Sequence, residues 1–142
     1  MNTFKADLKI GKAIEYEICE LIKKKYPRAF VVEGYEKGYD IVVPEIKIEV
    51  KYDIESYKTG NYVIETESNN KPSGLSTTTA EIWVIVDKKL IIWINTEVLK
   101  NFIKDFKEVS FTAKGDTKSK KVYLIPKDKL QYSPWVSIQK RT

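Results

Sequence analysis

The sequence predicts a single α/β (α+β) domain, with a central mixed β-sheet flanked by an N-terminal helix and a second helix. Apolar residues recur at helical spacing in 7–25 and again in 96–106. Between and beyond those stretches, short runs of Val, Ile, Tyr and Phe broken by Gly, Pro and Asn read as strands. The chain has 142 residues, 42% hydrophobic and 32% charged, which suits one soluble core. No repeat, low-complexity tract or linker divides it. Residues 1–142 therefore read as one domain, with a core at about 7–107 and a lysine-rich hairpin and tail over 108–142.

In the first segment Ile10, Ile14, Ile18, Leu21 and Ile22 share one helical face. Lys23, Lys24 and Lys25 suit the negative end of the helix dipole, and Tyr26-Pro27 ends the helix. Residues 28–34 read as a strand, and Gly34 and Gly38 flank a polar turn. Residues 39–43 and 46–52 are two strands joined at Pro44-Glu45, and 61–67 is a fourth. The stretch 68–80 is turn-rich, and Ser76 to Thr79 can open a short helix. Strands over 81–86 and 90–95 surround the turn at Asp87-Lys88-Lys89, with Trp83 and Trp93 expected in the core. Asn95 or Thr96 caps the helix 96–106, which places Val98, Leu99, Phe102, Ile103 and Phe106 on one face. Residues 109–126 resemble a hairpin with its loop near Gly115-Asp116; no element can be assigned to the tail "YSPWVSIQKRT".

Composition excludes much chemistry. With no histidine there is no Ser-His-Asp triad, no Cys-His pair and no histidine-ligated zinc, and one cysteine, Cys19, cannot form an internal disulfide. There is no phosphate loop ending in Gly-Lys-Ser/Thr and no G-x-G-x-x-G. The longest apolar runs, 83–86 and 90–94, are too short to cross a bilayer, and the N-terminus has no signal-like apolar region. The expectation is a cytoplasmic protein with no membrane partner. Any catalysis rests on carboxylates, lysines, hydroxyls and a hard metal ion. Residues 100–142 hold 11 basic and 4 acidic side chains, the rest 14 and 16. A basic portion beside an acidic one suits an enzyme that tracks phosphates while holding cations.

The segment "GYDIVVPEIKIEVKYD", 38–53, puts three charges into an otherwise apolar strand pair: Asp40, Glu49 and Lys51. If Pro44 and Glu45 are the two loop residues, positions summing to 89 face each other, and Asp40 opposes Glu49. Opposed residues have Cβ atoms about 4.5–5.5 Å apart, close enough for both carboxylates to hold one cation. Proline first in the loop argues against the primed turns of two-residue hairpins, so the register stays open. Alternation puts Lys47, Glu49, Lys51 and Asp53 on one face and Ile46, Ile48, Val50 and Tyr52 on the other. The carboxylates would bind Mg²⁺, or Mn²⁺ in its place, with the backbone carbonyl of Val50. The lysine would orient the metal-bound water or steady developing charge. Exposed charge pairs on a wet strand face are the alternative.

The order of these elements carries a resemblance. A first helix with Gly11 and Glu15 in G-x-x-x-E spacing, a strand bearing Asp40 and a strand bearing Glu49-Val50-Lys51 resemble the PD-(D/E)XK nuclease superfamily. Within it, the pattern over about 7–86 is similar to archaeal Holliday-junction resolvases and small phage or viral endonucleases. The resemblance implies a restriction-endonuclease-like core with a four-stranded mixed sheet and Mg²⁺-dependent cleavage of DNA. It makes Asp40 and Glu49 metal ligands, Lys51 the catalytic lysine and Glu15 the helix carboxylate, although Glu17 lies equally beside the apolar stripe. Tyr39 stands where the family motif often has proline.

Lys71, Ser76, Thr77 and Thr78 would then lie near the site and contact DNA phosphate, as would Lys118, Lys120 and Lys121 in the hairpin. The same residues read equally as a helix cap and a solvated loop. Cutting two strands takes two sites, so a homodimer is expected. The function so read is a Mg²⁺-dependent DNA endonuclease, of the junction-resolvase type or a site- or structure-specific enzyme of a phage or mobile element. The alternatives are a non-catalytic nucleic-acid-binding module and a nuclease using the same site on RNA.

Overall fold

The computed structural model describes residues 3–34, 38–112 and 119–142, with side chains from Leu8 onward in the first segment. The elements run α1 (Thr3–Lys23), β1 (Phe30–Val31), β2 (Ile41–Val43), β3 (Ile46–Tyr52), α2 (Ser56–Thr59), β4 (Asn61–Ser68) and β5 (Lys71–Pro72). They continue with β6 (Ile82–Val86), β7 (Leu90–Asn95), α3 (Thr96–Phe102), β8 (Lys107–Thr112), β9 (Ser119–Pro126), α4 (Lys127–Gln131) and β10 (Val136–Lys140).

The central sheet is mixed, as expected, but wider than four strands: its order is β1-β2-β3-β6-β7-β10. Among the described residues only β3 and β6 pair in parallel; the other neighbours in this sheet are antiparallel. A parallel pair needs a crossover, and here the crossover contains α2 and the strands β4 and β5. Those two strands join β9 and β8 in a second sheet of order β5-β4-β9-β8. The expected fourth strand therefore exists but belongs to this second sheet, and the tail that resisted assignment supplies the edge strand β10, with the short helix α4 just before it.

Helix α1 covers one face of the central sheet. Ile14, Ile18, Cys19 and Ile22 pack with Ile41, Val43, Ile48, Val50, Val84, Val86 and Ile91. Ile10 stays exposed, because the N-terminal half of the helix borders an open cleft instead of the core. On the other face Trp83, Ile85, Ile92 and Ile94 meet Tyr62, Ile64 and Ile125 of the second sheet, with Leu99 and Ile103. Trp83 is fully buried, and Trp93 is part-buried with its indole N–H donating to Gln139 Oε1 at 3.1 Å. Alternation along β6 and β7 sends side chains into each core in turn. Helix α3 is capped by Asn95, whose Oδ1 accepts from Val98 N at 3.1 Å, and it tightens to a 3₁₀ turn at Ile103–Asp105.

The β2–β3 hairpin has the register in which partners sum to 89: Ile41 with Ile48, Val42 with Lys47, Val43 with Ile46. Glu45 has φ of +71°, so the loop shows proline followed by a left-handed residue, the type II pattern. The ladder ends at Ile41, one step before Asp40.

Candidate active site

That early end of the ladder makes the site. Asp40 leaves the strand line: its N–H donates to Ile48 O at 2.7 Å, and its Oδ2 accepts from Val50 N at 2.7 Å. A strand turns its peptide groups alternately to its two edges. In β3 the odd residues serve β6, with Glu81 N donating to Lys47 O and Asp53 N to Val86 O. The even ones face β2, so the Val50 carbonyl points to the same open edge as the Val50 N–H that Asp40 holds. Asp40 and Glu49 thus meet where β2 peels away from β3, at the edge that the Val50 peptide faces; Val50 itself does not line the cleft.

Glu49 is nearly enclosed, with 12% of its side chain exposed, and its carboxyl lies against that of Asp40. Burial first, and then this contact, push its pKa from 4.5 up to about 8. Lys51 pulls the other way from 3.7 Å. Two carboxyls in contact need a proton or a cation between them. The oxygens available are all hard donors, which suit Mg²⁺ and not zinc. Among the described residues no cluster of three or more His, Cys, Asp and Glu side chains could hold a metal.

The surrounding cleft has a volume of about 1040 Å³ and brings together residues far apart in sequence. Helix α1 contributes Lys12 and Glu15, which form an ion pair at 3.1 Å. Glu17 is engaged elsewhere: Arg141 donates to both its oxygens, at 2.7 and 2.8 Å. Of the two helix glutamates, then, Glu15 is the one at the cleft. Lys51 lies 5.7 Å from the centre of the Trp83 ring. Thr78 Oγ1 lies 2.7 Å from Gly38 O and 3.4 Å from Glu49 Oε1, bridging the loop to the carboxyl. Thr79 N also donates to Gly38 O, and a Cβ at Gly38 would fall 2.7 Å from that nitrogen.

Of the residues expected to meet DNA, Thr77, Thr78 and Lys120 line the cleft. Lys120 pairs with Glu65 at 2.9 Å and Lys121 with Glu67 at 3.5 Å. Lys71 and Ser76 are exposed and do not line the cleft, and Lys118 lies outside the described residues. Sequence reasoning missed Lys12, Gly38 and Gly74. Lys12 carried a signal, standing three residues before Glu15 on the same helix face.

No protein-family model matches this sequence, and no curated protein matches it. Among solved structures the chain is similar to a bacterial homing endonuclease, I-Ssp6803I. The TM-score is 0.51 at 20% identity, over 89% of this chain and 83% of that one. At that identity the likeness is one of fold: the chain has an α+β architecture shared with a nuclease.

Proposed function

We propose that this chain is a metal-dependent DNA endonuclease that hydrolyses phosphodiester bonds at the cleft of Asp40, Glu49 and Lys51. The observation that carries the proposal is a nearly enclosed Glu49 carboxyl lying against Asp40, with the Lys51 ammonium at 3.7 Å. A surface charge pair would need no such burial, and desolvating it would gain nothing. The element order of the PD-(D/E)XK superfamily and the fold shared with a homing endonuclease support the same reading.

Asp40, Glu49 and the Val50 carbonyl would hold Mg²⁺ or Mn²⁺, which when bound polarises the phosphate and acidifies a coordinated water. For that, Glu49 must release its proton, and Lys51 offsets the negative charge left behind. The Lys51 ammonium then stands where it can orient the attacking water or neutralise charge developing on the phosphate. Glu15 and Lys12, across the cleft, are placed to hold further water. Both strands of a duplex require two such clefts, so the active form is a homodimer. The homing-endonuclease likeness favours a site- or structure-specific enzyme of the mobile-element kind over a junction resolvase.

The test is cleavage of a labelled duplex, a four-way junction and a single strand by the wild-type protein in Mg²⁺ and in EDTA. Cutting that depends on Mg²⁺ is expected. Salt-sensitive binding without cutting on every substrate would instead mark a non-catalytic binding module.

A further inference from the structure

Past Lys51, Tyr52 and Lys120 the catalytic cleft opens into a second groove of about 350 Å³. One wall is the exit from β3, carrying Ile54; the other is the face of the second sheet that carries Val63, Phe111 and Val122. These last three share a face by register, since Glu65 opposes Val122 and Phe111 opposes Lys120. Ile54, Val63 and Phe111 are 45%, 36% and 44% exposed, so a run of apolar surface stands open beside the site.

Two of the carboxylates there, Glu65 and Asp53, are already engaged. Glu65 accepts from Lys120 at 2.9 Å and from the Ser73 hydroxyl at 2.8 Å. Asp53 accepts from Ser56 N and Val63 N, each at 2.9 Å. Lys51 stands at the mouth shared with the catalytic cleft; beyond it Lys120 is paired and carboxylates stand on both walls, so the inner groove disfavours phosphate and suits an uncharged flat group. In a polynucleotide that group is the base. The groove is continuous with the catalytic cleft, so a strand whose phosphate lies at Asp40 and Glu49 has a neighbouring nucleotide within reach of it.

We propose that this groove seats the base of a nucleotide next to the scissile phosphate, unstacked from its neighbours and lying against the Phe111 ring. The proposal rests on the nuclease reading and names its substrate class: DNA with an unpaired nucleotide beside the cut. Bases in a continuous duplex present no free face to an aromatic ring, whereas an unpaired base stacks on one at little cost.

The test is binding in EDTA, by fluorescence anisotropy of a labelled oligothymidylate and of a fully paired duplex. Phe111→Ala should weaken single-strand binding about tenfold and leave duplex binding nearly unchanged. Phe111→Leu, which keeps apolar bulk without a π face, should behave like the alanine variant, and Phe111→Trp like wild type. Unchanged single-strand binding in Phe111→Ala, or equal loss on both ligands, would overturn the proposal. Cleavage is read separately. If nothing is cut but the Phe111 pattern holds, the nuclease reading fails and the base seat stands; if DNA is cut and Phe111→Ala binds normally, the seat alone fails.

Discussion

Glu49 is a carboxyl kept where a carboxylate is costly, and the consequence is measurable without any substrate. Its pKa is pushed from 4.5 up to about 8 by burial and by contact with Asp40. Between those values the unfolded chain has released a proton that the folded chain still holds. Stability therefore falls as pH rises through that window, because the folded state binds more protons than the unfolded one. Without metal, wild type should lose on the order of 2–4 kcal/mol relative to Glu49→Gln between pH 5 and pH 9, as read by urea denaturation. Mg²⁺ should remove most of the difference by taking the place of the proton. Parallel pH slopes for the two proteins would contradict the geometry. At this scale the sequence was only partly legible: strand alternation paired Glu49 with Lys51, but Glu15 and Glu17 could not be separated. What separates them is Arg141, 124 residues away from Glu17, and no local pattern reports such a partner.

Strand pairs joined by tight turns were the most legible elements. Taking Pro44-Glu45 as a two-residue loop gives partners summing to 89, and the structure has that register, although proline first in the loop left it open in the sequence. The strand over 61–67 was legible as a strand but not as part of a second sheet, since Tyr62 and Ile64 would alternate identically in either. Its bulge between Glu65 and Glu67 is where the following loop docks. Gly74 makes that docking possible: its φ is +54°, and a Cβ there would overlap the Glu65 carbonyl oxygen. Gly74→Ala should therefore cost about 1–3 kcal/mol in backbone strain, and more from the overlap. Because this loop leads to Thr78, the substitution should also lower the cutting rate. Gly60, with φ of +78° and open space around its missing Cβ, is the control, and Gly60→Ala should cost only about 1 kcal/mol and leave cutting unchanged. Equal effects at the two positions, in denaturation and in rate, would refute the role given to the loop.

The molecule as a whole is three layers, with helix α1, the six-stranded sheet, and the second sheet with α3 packed in that order. The cleft lies where β2 leaves β3, so it is walled by both outer layers at once. Arg141 closes the arrangement from the other end of the chain, binding Glu17 of α1, the Asp87 carbonyl and the face of Tyr52. The α+β class was legible because two amphipathic stretches and several apolar runs leave few other architectures. Strand β10 was not: apart from Val136 its residues are exposed, so it carries no burial pattern and is held by pairing with β7. Folding, DNA binding and chemistry should separate at one residue. The deciding measurement is single-turnover cleavage in Mg²⁺ by Glu49→Ala, with DNA affinity determined on the same protein. Cutting abolished while affinity and fold persist is the predicted result; cutting at the wild-type rate would contradict the site.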